Sequence, residues 1–288
     1  MINKIISHIG VAILQLLSYL PLRVLYLIAD ILYFIIYRVV KYRIKVVRKN
    51  LKNSFPEKSQ QELTRIEKDF YRQFADMMVE VVKSSSISEK ELLKRVTFKN
   101  ITVLEEHFAK GESTLGTISH YGNWEMVMLA LSLNPHLKIH GIYKPINNKP
   151  FEKWYNRMRT RFGTYTIPMR QTARSIVANK DKCTHLIFAS DQSPRIEDTT
   201  HQTYFLNQKT YVLVGLEKIA RQTNRPVYYL DVKRIKRGYY ELECLSLCEQ
   251  PKDTKENEIT NRYFEMLTTI KHREPCLWLW SHNRWKRS

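Results

Sequence analysis

The 288-residue sequence predicts an α/β fold: a central, mostly parallel sheet flanked by helices, with an N-terminal apolar helical membrane anchor in front of it. Three observations predict it. From Arg95 onward, short apolar runs alternate with longer amphipathic stretches, the texture of strand–helix units. Residues 5–40 are almost continuously apolar. Between the two, residues 58–94 place Leu63, Ile66, Phe70, Phe74, Met77 and Val81 at three- to four-residue spacing, the mark of a helix with one buried face. The predicted organisation is an anchor over 1–40, a basic linker and helical region over 41–95, and an α/β domain over 96–288.

In the first part, two apolar blocks, 5–22 and 24–40, meet at Pro21-Leu22-Arg23. Each is near the minimum length for crossing a ~30 Å hydrocarbon layer, but His8, Gln15 and Asp30 interrupt them. A helix pair that spans, dips into or lies on the bilayer fits this pattern, and so does an apolar hairpin buried in a soluble core. No small-residue cleavage site follows a short apolar core, so a removable leader is not expected. Arg38, Lys41, Arg43, Lys45, Arg48, Lys49 and Lys52 come next with no acidic residue among them. Such a flank is retained on the cytoplasmic side and attracts anionic headgroups. The expected location is therefore the cytoplasmic face of the inner membrane.

The second part runs through a Ser84-Ser85-Ser86 break to Ser88 and Glu91, whose spacing predicts a capping box. In the third part, strands are predicted at 96–98, 113–119, 139–143, 183–189, 227–232 and 240–247. Helices are predicted at 103–109, 124–133, 149–162, 172–179, 212–222 and 256–271.

Composition bounds the chemistry. With 47 Lys and Arg against 28 Asp and Glu, the net charge is +19, which favours an anionic partner: a membrane face, a phosphorylated substrate, an acidic protein or nucleic acid. The four cysteines form no CxxC pair and no zinc spacing, and read as small apolar residues in a reducing compartment. Eight glycines supply neither phosphate-cradling motif, and no metal or cofactor is expected.

One stretch stands out, "TLGTISHYGNWEMVMLAL". An apolar strand ends at His120, the chain turns through Gly122-Asn123, and Glu125 opens an amphipathic helix. In open α/β sheets ligands bind at such strand ends. A folded turn would bring Glu125 back to one imidazole nitrogen, fixing the tautomer and leaving the other nitrogen as a base. A satisfied loop histidine fits the same pattern, and the chain pattern leaves both readings open. A second pair with the same spacing, His107 and Glu112, sits in the charged helix end "EEHFAKGE" and reads as solvated surface. Further on, 143–174 carries eight basic residues against Glu152 alone, and Asp191 follows the apolar run "HLIFAS" at another strand end.

These residues carry a resemblance. "HYGNWE" is similar to the His-x4-acid motif of the glycerolipid acyltransferase superfamily, in the form used by the lipid A late (lauroyl/myristoyl) acyltransferases. Four more segments resemble that family in order: "VVRKNLKNSFPEKSQQE", "YKPINNKPFEKWYNRMRTRFG", "FASDQSP" and "WLWSHNRWK". Lys144 stands where the family usually has Arg, and "TYFLN" replaces its Phe-Phe-Gly. The resemblance implies a glycerolipid acyltransferase-like fold. It also implies transfer of a fatty acyl group from a thioester, normally on acyl carrier protein, to a hydroxyl of a lipid A precursor or another membrane lipid. His120 would then be the base and Glu125 its orienting acid. Lys144, Arg161 and Arg170 are the candidates for a phosphorylated headgroup, with Asn147, Asp191 and Gln192 as further substrate-binding positions. The rival readings are an acyltransferase for an aminolipid or lysophospholipid, and a non-catalytic basic protein that binds membranes or nucleic acid.

Overall fold

The computed structural model describes residues 2–287. Five helices come first: α1 (Ile2–Ser18), α2 (Leu22–Phe34, continued by a π-helical turn over Ile35–Val39), α3 (Ile44–Ser54), α4 (Gln60–Ser84) and α5 (Glu89–Arg95). Strands and helices then alternate: β1 (Val96–Lys99), α6 (Thr102–Ala109), β2 (Thr114–Ile118), α7 (Trp124–Leu131), β3 (Ile139–Tyr143), α8 (Lys149–Arg159), β4 (Tyr165–Pro168), α9 (Thr172–Ala178) and β5 (His185–Ala189). A hairpin of β6 (His201–Phe205) and β7 (Gln208–Val212) precedes α10 (Gly215–Thr223), β8 (Val227–Lys236), β9 (Tyr239–Cys248) and α11 (Glu258–Arg273).

The main sheet has seven strands in the order β1-β9-β8-β2-β5-β3-β4. All its pairings are parallel except β8 with β9, which form a hairpin. The predicted α/β class and mostly parallel sheet are therefore present. Alternation along each strand sends neighbouring residues to opposite faces. Leu115, Leu186 and Tyr229 join a core covered by α10, α11 and the C-terminal segment. Ile118, Ile187, Tyr228 and Leu230 join a second core covered by α5, α6, α7 and α8. Gly116, central in β2, is required by close approach: a Cβ there would lie 2.5 Å from Nε2 of the buried His185.

Four elements of the structure were not predicted. β4 and the β6–β7 hairpin lie in segments without a strand-like apolar run, and the basic region 41–57, read as a linker, contains helix α3. Val47 and Leu51 of α3 are wholly buried while its lysines face solvent, so a strongly basic sequence hides an amphipathic helix. Ser88 caps α5 by accepting from the Glu91 amide, but the Glu91 carboxylate turns to Arg95, so only half of the expected capping box forms. All four cysteines are free thiols, three of them buried.

Pro21 separates α1 from α2, and the apolar run 5–40 becomes two short helices and a turn. No helix among the described residues is long and apolar enough to cross a membrane. α2 packs on α4 through Leu22, Leu25, Ala29, Ala75 and Val79, and α1 meets α8, where the Trp154 indole donates to Gln15 (3.1 Å) and the Asn148 amide to Ser7 (2.9 Å).

The buried carboxyl of Glu80 joins these layers. It accepts from Tyr26 of α2 (2.8 Å), Tyr240 of β9 (2.8 Å) and Asn123 of the turn after β2 (2.7 Å). Burial pushes its pKa up, and the three donors only partly oppose that. Glu80→Ala should lower unfolding free energy by about 3 kcal/mol or more, because three buried donors lose their acceptor at once. Thermal and denaturant unfolding measure it.

Candidate active site

β2 and β5 pair in parallel with Ile118 opposite Ala189. Two residues further along each chain, at the carboxyl ends of both strands, stand His120 and Asp191. Equal offsets from a fixed register bring them side by side: the His120 Nδ1 lies 2.7 Å from Asp191 Oδ1, and the His120 amide donates to Oδ2 at 3.0 Å. The Trp278 indole gives Oδ2 another hydrogen bond at 2.8 Å. Asp191 is wholly buried. Burial alone would raise its pKa, yet the nearby His120, Lys271 and the indole donor hold it well below the usual carboxylate range. The carboxylate therefore selects the tautomer with hydrogen on Nδ1. Nε2 carries no hydrogen bond among the described residues, and the imidazole side chain is 19% exposed.

The expected pairing of His120 with Glu125 is not formed. Glu125 lies in the first turn of α7 and faces α8, where Arg159 grips it through two nitrogens, Nε at 2.8 Å and Nη2. The Trp124 indole also donates to Glu125 Oε1 at 3.0 Å, and the Trp124 ring packs edge-on against His120 with centroids 4.8 Å apart. Glu125 reaches the histidine only through that ring. Burial would raise the Glu125 pKa, but the Arg159 charge and its hydrogen bonds outweigh burial and lower it. Asp191, expected among the substrate-binding positions, is instead the histidine's partner.

The turn holding His120 is fixed from several sides. Gly122 takes a positive φ of 60°, and Asn123 caps α7 by accepting from the Met126 amide at 2.9 Å. The C-terminal segment crosses over it: the Gly122 amide donates to Leu277, the Leu279 amide to His120, and the Tyr121 hydroxyl to the Glu274 carbonyl. That segment is in turn held by α3, where Asn50 donates to the carbonyls of Trp280 and His282, both at 2.9 Å. Four of the five motif segments thus converge on one strand end. Beside Trp124, a narrow crevice is lined by Phe70, Phe74, Met77, Leu277 and Leu279.

The remaining candidates are placed differently. Lys144 and Asn147 are exposed in the loop between β3 and α8, and Arg170 is exposed on a single 3-10 turn, Met169–Gln171. Gln192, beside Asp191, is half-buried. Arg161 is not free for a headgroup: its two terminal nitrogens donate to the carbonyls of Ser84 (2.6 Å) and Ile87 (2.9 Å), capping the end of α4. Trp278, Arg159 and Lys271 were not singled out as site residues in the sequence. Trp278 lies in a motif, but its role depends on a contact with a residue 87 positions away.

Arg159→Met should cost about 3–5 kcal/mol, since it strands a buried carboxylate. The depressed Glu125 pKa gives the sign of the pH effect. Its stabilisation is present above the ordinary carboxylate range and lost as pH falls through the folded pKa, so acidification should narrow the gap between variant and wild type in thermal melts.

Comparison with known proteins bears on this geometry. None of the curated proteins compared with the chain matches it. The family model described as bacterial lipid A biosynthesis acyltransferase matches residues 1–287. The chain belongs to that family and is an acyltransferase of lipid A biosynthesis.

Proposed function

We propose that the enzyme moves a fatty acyl chain from an acyl carrier protein thioester to a hydroxyl of a lipid A precursor, with His120 as general base and Asp191 as the residue that orients it. One observation carries the reading: the Nδ1 of His120 is committed to a buried carboxylate while Nε2 stays unbonded among the described residues on a partly exposed ring. The acceptor hydroxyl gives its proton to Nε2 as its oxygen bonds to the thioester carbonyl carbon. The carbon–sulfur bond then breaks, and the proton on Nε2 passes to the leaving thiolate. No covalent enzyme intermediate is needed, because the thioester is already activated. The apolar side chains that line the crevice between α4 and the C-terminal segment suit contact with the acyl chain. Lys144 and Asn147, at the carboxyl end of β3, suit the phosphorylated sugar.

The expected setting is the cytoplasmic face of the inner membrane. Ile5, Ile9, Ile13 and Leu16 of α1 and Leu27, Ile31 and Phe34 of α2 are large, exposed and spaced to line one face of each helix. Monomeric soluble proteins rarely leave such stripes in water. At about 25 Å, α1 is shorter than the ~30 Å hydrocarbon layer, which favours helices lying in the interface with this face down. The lysines and arginines of 38–52 then sit beside anionic headgroups. Because α1 packs on α8, the bilayer would run next to the β3–α8 loop.

In a purified-enzyme assay, His120→Ala and Asp191→Asn should each lower kcat by ~10²–10⁴-fold in protein that circular dichroism shows to be folded. Near-normal turnover in either variant would remove the base assignment, and Glu125→Gln as the more damaging change would return the role to Glu125. Replacing Ile9, Ile13 and Leu27 with Glu should abolish co-flotation with anionic vesicles, while dyad activity toward a detergent-dispersed acceptor persists. Unchanged flotation would place the membrane contact elsewhere.

A further inference from the structure

A second buried charge lies behind the histidine, and the chemistry above does not use it. Lys271, in the last turn of α11, has no exposed surface. Its Nζ donates to Ser119 Oγ at 2.7 Å and stands 4.1 Å from the centre of the Tyr121 ring. Ser119 Oγ is also bonded to the Tyr229 hydroxyl at 2.9 Å. Lys271 makes no ion pair among the described residues, although a buried ammonium ordinarily has one. Ser119 and Tyr121 flank His120 in the chain, so this ammonium is fixed to both neighbours of the proposed base.

The surrounding charges show what the ammonium answers to. Asp231 of β8 faces Lys271, but its carboxylate is already held by two nitrogens of Arg273, at 2.9 and 3.1 Å. Tyr229 and Tyr121 are neutral phenols whose pKa values burial raises further. That leaves Asp191, whose direct partners are His120 and an uncharged indole. Arg284, buried in the C-terminal segment, also feels the charge of Asp191, but its one side-chain hydrogen bond among the described residues runs from Nη1 to Thr210 and none reaches the β2 turn. A buried carboxylate needs a cation nearby. If none is supplied, the imidazole must hold a proton at rest and cannot take one from the acceptor.

We propose that Lys271 is a positioning residue of the transfer reaction: its ammonium, anchored on Ser119, is the resting counter-charge of Asp191 and leaves His120 free to accept the hydroxyl proton. The assignment rests on the reading of His120 and Asp191 given above. Burial pulls the Lys271 pKa down to about 7, although Asp191 and Asp231 favour the charged form. Lysine is charged below its pKa and neutral above it. The counter-charge is therefore in place up to the neutral range, where an unopposed carboxylate would keep the imidazole protonated; in alkali both groups have lost their protons and the base is free without it.

The test is the pH dependence of kcat for the full-length enzyme, with the lauroyl thioester of acyl carrier protein as donor and a lipid A precursor as acceptor. Raising the pH removes protons from both groups, so wild type should gain kcat as the imidazole is freed and hold it in alkali, with little change in acceptor KM. Lys271→Met should lose at least about tenfold at neutral pH and regain most of it in alkali, its rising limb displaced upward by about one pH unit or more. Lys271→Arg, charged at every pH used, should keep the wild-type limb and stay within about tenfold of the wild-type rate. A wild-type limb in Lys271→Met, an equal loss at every pH in that variant, or a displaced limb in Lys271→Arg overturns the assignment. Should melting curves show that neither variant folds, Ser119→Ala decides: without its acceptor the ammonium is less favoured, so the rising limb should move to higher pH, and an unmoved limb overturns the proposal. His120→Ala and Asp191→Asn run in parallel separate the two ideas. If both stay active, the base reading fails. If both are inactive while Lys271→Met behaves as wild type, only the role of Lys271 fails.

Discussion

The carboxylate of Asp191 is the point on which the site depends. It is buried without a formal ion-pair partner other than an imidazole, and three donors converge on it: the amide and ring of His120 and the indole of Trp278. These donors come from two chain segments, the β2–α7 turn and the C-terminal stretch, while the acceptor comes from a third, after β5. A buried charge is tolerated only where such donors are in place. The carboxylate therefore fixes the ring of His120 and locks the C-terminal segment over the sheet.

The parallel register makes this possible. Strands β2 and β5 end level, and each carries its polar residue two positions beyond the last ladder pair. Parallel strands need a crossover, so two residues 71 positions apart meet here with no local sequence link. The rest of the frame removes competing charges from the neighbourhood. Arg159 takes Glu125, Arg273 takes Asp231, and Glu80 collects Tyr26, Tyr240 and Asn123. Asn123 connects these layers to the site, because it caps α7 with one side-chain atom and serves Glu80 with the other.

Charge and apolar surface are also distributed to a purpose. The +19 net charge is not spread evenly: the charged residues of 38–52 are all basic, and this run adjoins the two helices whose large apolar side chains remain exposed. Such a surface has the composition of an interfacial helix pair with a cationic border. Pro21 divides what would otherwise be one long apolar helix.

The sequence by itself determined the α/β class, the helix 60–84, six of the seven strands of the main sheet, and His120 as the residue worth testing. Each of these follows from local periodicity, a cap or a strand-end position, which act over a few residues. The edge strand β4, the β6–β7 hairpin and α3 were not legible, since their apolar signal is short or masked by lysines. Tertiary structure alone decided the partner of His120. Glu125 is five positions away and looked suited to the role, but it sits on a helix turned toward Arg159. Asp191 is distant in the chain, and strand pairing makes it adjacent. The same holds for Arg161, whose position in a basic block suggested a ligand site, whereas the exposed carbonyls at the end of α4 claim its donors. Residue type and spacing name the groups available for chemistry; which of them touch depends on register and helix rotation, and those are settled only when the cores on both faces of the sheet close.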